Sequence, residues 1–160
     1  MYKKILIPTD GQKGCTDAVE NGIRLAKTLK AKVVGVHVQP RLNPFEILEA
    51  YHPDYLWGRH EAEKAQESME QVEKLHRSMG EHYLADLKKL ADAARVDCET
   101  VFVDRETPAK GILKTADEKG CDLIFMSSHS REHVLGTHLG EVTSRVLATS
   151  RIPVLVYRCY

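Results

Sequence analysis

Residues 3–11 read Lys-Lys-Ile-Leu-Ile-Pro-Thr-Asp-Gly, and residues 32–39 read Lys-Val-Val-Gly-Val-His-Val-Gln. The first is a short apolar run closed by turn formers, the pattern of a strand buried on both faces. The second is β-branched and is stopped by Pro40. Between them Ala18, Ile23, Ala26 and Leu29 recur at helical spacing, with Thr16 or Asp17 placed to cap the helix. Strand, helix and strand within about 35 residues make a βαβ unit, whose crossover is right-handed and whose strands are parallel.

The same alternation continues downstream. Residues 41–60 interrupt it with Pro44, Pro53 and Gly58 among Phe45, Tyr51, Tyr55 and Trp57. This excursion is expected to hold a short helical piece near 44–50. A long charged helix is expected over about 61–94, with Met69, Val72, Leu75, Met79, Tyr83, Leu87 and Leu90 as one apolar stripe. Gly80 is the position where that helix would bend. Cys98 to Asp104 alternates as a third strand. Thr107-Pro108 opens a further helix with Ile112, Leu113 and Ala116 inward and Gly120 at its end. Asp122 to Met126 reads as a fourth buried strand, followed by a polar loop, a helix over about 140–149, and a fifth strand from Ile152 to Tyr157. Pro153 suits the start of that last strand, or an edge.

Five strands alternating with four helices predict one α/β domain over residues 1–160, a doubly wound open sheet of parallel strands with helices on both faces. Ligands of such sheets sit outside the carboxyl ends of the strands, beside the switch point. Here that means the turns after the first and fourth strands.

Composition narrows the function classes. Lysine plus arginine equals aspartate plus glutamate at 23 each, so no net field gathers nucleic acid or anionic lipid. The chain is 42% hydrophobic and 29% charged. At 160 residues it can bury roughly 70% of its unfolded surface and needs neither disulfide nor metal to fold. Cys15, Cys98, Cys121 and Cys159 form no C-x-x-C pair, which argues against zinc and for reduced thiols. The apolar run at the start is too short for a secretory or membrane segment, so a cytoplasmic protein with no membrane partner is expected.

Two polar turns carry the candidate chemistry. In Pro8-Thr9-Asp10-Gly11, Asp10 either accepts from a ligand amine or hydroxyl or forms an Asx-turn that caps the next helix. After the fourth strand come Met126, Ser127, Ser128, His129, Ser130 and Arg131, leading to Gly140, Glu141 and Val142. A polar loop entering a helix N-terminus is where phosphate is held, because free backbone N–H groups point outward there. Against it, the loop has few glycines, and Glu141 sets a carboxylate in the first turn. The spacing of His129, His133 and His138 would suit a metal only in a helix, and the flanking Ser and Gly residues argue for loop. His37 in the second strand reads as a hydrogen-bonded core imidazole. No P-loop, nucleophile elbow or Ser-His-Asp order is present.

KKILIPTDG, KVVGVHV, CDLIFMSSHSR and SRVLATSRIPVLVYR together resemble the universal stress protein family over nearly the whole chain. The resemblance implies an adenine nucleotide alpha hydrolase-like sheet with strand order 3-2-1-4-5. It also implies a homodimer formed through the last strand, Ile152 to Tyr157, and a non-enzymatic role in stress response. One branch of the family binds ATP through G-x2-G-x9-G-(S/T) after the fourth strand. On this chain the first two glycines fall on Ser127 and Ser130, Gly140 is kept, and Glu141 takes the Ser/Thr position. Pro8, Thr9, Asp10 and Val38 match the adenosine side. The resemblance thus implies a cleft without a full phosphate cradle and no tight ATP site. The alternative it leaves open is an ATP- or AMP-binding stress protein with switch-like or slow hydrolytic activity.

Overall fold

A computed structural model describes residues 1–11, 16–42, 59–129, 131–133 and 136–159. In chain order the elements are β1 (Lys4–Pro8), α1 (Thr16–Leu29), β2 (Lys32–Gln39), α2 (Arg59–Ala93), β3 (Cys98–Asp104), α3 (Pro108–Glu118) and β4 (Leu123–His129). They continue as β5 (Arg131–His133), β6 (Gly136–His138), α4 (Glu141–Thr149) and β7 (Val154–Cys159). Five strands form one sheet in the order β3-β2-β1-β4-β7, and every neighbouring pair is parallel. Counting only sheet strands, this is the order 3-2-1-4-5. The excursion at 43–58 lies outside the described residues.

Each strand alternates between two cores because successive side chains point to opposite faces. On one face Ile5, Ile7, Val33, Leu123 and Phe125 pack with Ile23 and Ala26 of α1 and Leu87 and Ala91 of α2. On the other, Leu6, Val34, Val36, Ile124 and Met126 pack with Ile112 and Ala116 of α3 and Val146 of α4. The central strand is the most deeply covered, with Ile5, Leu6 and Ile7 at 0–1% exposure. That is why its sequence is a continuous apolar run rather than an alternation.

The amino ends of β1 and β4 are tied by one side chain. The amides of Lys3 and Lys4 donate to the Asp122 carboxylate at 2.7 and 3.0 Å, and the Asp122 amide donates to the Lys4 carbonyl at 2.9 Å. Register between the two strands is recorded at Ile5↔Leu123 and Leu6↔Ile124, whereas β1 follows β2 as far as Pro8↔Val36. The β1–β4 pairing does not run past Leu6 and Ile124 among the described residues, and the carboxyl end of this central pair is the switch point, where sheets of this kind form a crevice.

Two expectations need correction. Of the expected stripe in α2, Leu87 is buried and Met69, Val72, Tyr83 and Leu90 are half-buried, but Leu75 and Met79 are 57% and 43% exposed, and Gly80, Leu84 and Ala91 complete the buried row. Length explains the difference. At 35 residues α2 spans about 52 Å, whereas the eight-residue β2 spans about 26 Å, so roughly half the helix has no sheet beneath it. Gly80 does not interrupt α2. A Cβ there would stand 2.4 Å from His37 Cδ2 and 2.6 Å from Phe102 Cε2, so glycine lets the helix lie directly on those rings. The second correction concerns the segment after β4, which holds the antiparallel pair β5–β6 instead of an irregular loop.

Candidate functional site

The crevice between the ends of β1 and β4 brings the two polar turns together, as the topology requires. On the β1 side, the Thr9 amide donates to the Val36 carbonyl at 2.9 Å, which extends β1 toward β2 by one residue. The Gly11 amide donates to Thr9 Oγ1 at 3.4 Å. Pro8 and Thr9 are half-buried and Asp10 is exposed at the rim, with its carboxylate beyond the end of the strand. His37 Nδ1 lies 2.8 Å from the Thr9 carbonyl. A carbonyl only accepts, so Nδ1 carries the proton and donates. The expected core imidazole is therefore hydrogen-bonded, though half-buried rather than enclosed.

Val38 points to the opposite face of the sheet. Its methyl carbon lies 2.7 Å from where a Cβ on Gly111 would stand, so it seats α3 on the sheet. Met126 is 4% exposed, and its side chain belongs to the core beneath the crevice. Val142 packs against that same core.

On the β4 side two hydroxyls hold the start of α4. The Gly140 amide donates to Ser128 Oγ at 3.2 Å, and Thr143 Oγ1 donates to the Ser127 carbonyl at 3.3 Å. Ser128 and Thr143 are each 3% exposed. Ser128 belongs to the polar stretch expected to meet a ligand, whereas Thr143 was not among the expected residues; a signal for the burial of Ser128 existed. Ser128 follows the inward Met126 by two positions, so a strand at this place buries its hydroxyl and requires a partner for it. Gly140 is the N-cap of α4 without a capping side chain of its own. Glu141, first in the helix, is exposed and accepts from Arg145 Nη2 at 2.7 Å, one turn on. That pairing offsets part of the carboxylate charge at the rim.

His129, Ser130 and Arg131 have side chains outside the described residues. Their backbone shows that His129 pairs with Cys159 and Arg131 with His138. The segment carrying His129, His133 and His138 is extended rather than helical, so the helical spacing that would suit a metal is not the one the backbone adopts.

A cavity of about 310 Å³ lies at the other end of the sheet, between the C-terminal ends of α3 and α4 and over Cys121. Its rim mixes Lys114 and Arg151 with Asp117, and Lys114 faces Glu118 at 3.8 Å. Burial pushes the Cys121 thiol up to about 11, so it stays protonated and a poor nucleophile at neutral pH. The crevice, not this cavity, holds the polar turns.

The family model for the universal stress protein family matches residues 1–158. A universal stress protein of Methanocaldococcus jannaschii is 30% identical over 158 residues, covering 99% of this chain and 83% of the relative. Among solved structures, a universal stress protein family member from Burkholderia pseudomallei superposes with a TM-score of 0.68 at 25% identity. That match covers 98% of this chain and 96% of the other. A universal stress protein from Archaeoglobus fulgidus, solved in complex with dAMP, shares the fold with a TM-score of 0.60 at 16% identity. It covers 97% of both chains.

Proposed function

The chain belongs to the universal stress protein family, and on that premise we propose that it is a non-enzymatic stress-response protein acting as a homodimer. Its crevice takes the adenosine part of a small nucleotide and does not hold a triphosphate tightly. The observation that carries this reading is the state of the α4 N-terminus. The Gly140 amide, placed where a phosphate would meet the helix, already donates to Ser128 Oγ at 3.2 Å, and Glu141 adds a carboxylate beside it. Anion binding at a helix N-terminus depends on amides left free and on the absence of a competing negative charge.

The adenosine side is better supported. Thr9 and Asp10 stand at the rim, and the Archaeoglobus fulgidus relative was solved with dAMP. The non-enzymatic part rests on a sequence with neither a P-loop nor a nucleophile elbow. The homodimer rests on β7, an edge strand with Leu155 39% exposed.

Isothermal titration with ATP plus Mg²⁺, and with AMP, tests the reading. AMP should bind at least as well as ATP, with ATP weaker than about 100 μM, or less than ~5.5 kcal/mol of binding free energy. The variant Ser127→Gly/Ser130→Gly/Glu141→Ser should bind ATP more tightly than the parent. Micromolar ATP binding by the parent, or phosphate release above the spontaneous rate, would sink it in favour of an ATP switch.

A further inference from the structure

We infer that His37 and Tyr83 are positioning residues for the Thr9-Asp10-Gly11 turn, so that the seating of α2 on the sheet sets how well the crevice holds its ligand. This rests on the nucleotide reading above and adds to it a means of control. Gly11 has a φ of +70°, and a Cβ there would stand 2.2 Å from Tyr83 Cε1 and 2.3 Å from Cδ1. The Tyr83 ring therefore occupies the space beside Gly11 where any other residue would carry a side chain. Both the left-handed backbone and this contact require glycine.

The second strut is His37. Its Nδ1–H reaches the Thr9 carbonyl at 2.8 Å, and its ring meets Tyr83 edge-on with centroids 5.7 Å apart. The other side of the imidazole lies against α2 at Gly80. Phe102 of β3 flanks the imidazole at 5.6 Å. The turn is thus held at Thr9 through His37 and at Gly11 through Tyr83, and both side chains bear on one turn of α2, residues 80–83. Asp10 lies between the two held residues. A shift of α2 along the sheet moves both struts at once, because packed rings transmit displacement rather than absorb it. The half of α2 that overhangs the sheet, with Leu75 and Met79 exposed, is where a partner would apply such a shift.

The test compares five variants of the full chain by AMP titration and by amide hydrogen exchange of residues 9–11. Tyr83→Leu and His37→Phe should each raise exchange at Thr9 or Gly11 at least tenfold and weaken AMP binding five- to twentyfold. Tyr83→Phe and His37→Gln, which keep the ring or a donor, should recover most of both losses. Leu90→Ala, an α2 packing change away from the turn, serves as the structural control. The inference is overturned if Tyr83→Leu and His37→Phe leave exchange at the turn within twofold of the parent, or if Leu90→Ala loosens the turn as much. If the parent binds no AMP, the nucleotide reading fails by itself, and the exchange measurements still decide whether the two residues hold the turn. Should Tyr83→Leu fail to fold, His37→Phe against His37→Gln carries the decision.

Discussion

The two edges of the sheet are built on opposite principles. At the β3 edge, Glu99, Thr100 and Asp104 are exposed, and the acids are tied into ion pairs. Glu99 meets Lys119 at 2.7 Å and Lys4 at 3.9 Å, and Asp104 meets Arg77 of α2 at 2.5 Å, whose guanidinium also covers the Phe102 ring. Arg105 reaches back to Glu73 at 3.1 Å. At the β7 edge, Val154, Leu155, Val156 and Tyr157 come in succession, and the first charge is Arg158. Leu155 is 39% exposed, and Tyr157 turns inward onto Phe125 and Ala18. A sheet edge offers unpaired backbone groups to any other strand, and charge is the usual guard against that. Among the described residues one edge is guarded by charge and the other presents an apolar strand, which is why the proposed dimer uses β7.

The largest effect that would break this comparison is expected at Leu155. Leu155→Arg should convert the proposed dimer into a monomer by light scattering, raising the dissociation constant at least ~100-fold, or ~2.7 kcal/mol. Thr100→Lys, an equal insult at the β3 edge, should leave the mass unchanged. A monomeric parent at micromolar concentration, or dissociation caused by Thr100→Lys, would remove the distinction.

A smaller effect sharpens the description of the guarded edge. Cys98 begins β3 and is 7% exposed, and burial pushes its thiol up to about 11, as it does for Cys121. The thiolate is the form the fold disfavours, so the folded value lies above the unfolded one. The associated stability is complete below the ordinary value of 9.0 and is lost as pH rises through about 11. Each thiol should contribute about 2–3 kcal/mol to that alkaline loss. Urea denaturation at neutral and alkaline pH should show a shallower decline for Cys98→Ala/Cys121→Ala than for the parent. A parallel decline in both proteins would mean that the start of β3 is open to solvent.

The smallest effect belongs to the exposed pair before β3. The Lys32 ammonium, hydrogen-bonded to Asp97 at 2.8 Å, holds that carboxyl below its ordinary value of 3.8. Its contribution is present above that value and is lost as pH falls through the depressed one. Both groups are exposed and screened, so Asp97→Asn should trim the acid limb of the stability curve slightly and vanish into noise at high salt. A large loss at neutral pH would show that the guarded edge depends on this pair more than on α2.

Legibility followed burial. The β1 run Lys4–Pro8 and the β4 run from Leu123 were readable because strands covered on both faces have no polar face to alternate with. The place of the crevice followed from them, since strand order and parallel direction set the Pro8–Gly11 turn beside the Met126–His129 end of β4. The inward face of α2 was readable at Leu87 and Leu90 but not along the whole helix. Leu75 and Met79 continue the stripe as regularly as Leu87 and Leu90 do, and periodicity cannot say where the sheet ends beneath a 35-residue helix. The Ser128–Gly140 latch was missed for a related reason, because a serine in a polar stretch looks like a ligand contact until its burial is known.

What the sequence determined by itself is the class of fold, the strand–helix alternation, the family and the end of the sheet to which the proposed site is assigned. These depend on apolar periodicity and turn chemistry, which are local. Only the tertiary structure decided that Ser128 holds the N-terminus of α4, that Gly80 exists to admit His37 and Phe102, and that Tyr83 fills the space beside Gly11. Each of these depends on two surfaces meeting at a particular register, and close packing, unlike pattern, is specified only when both surfaces are in place.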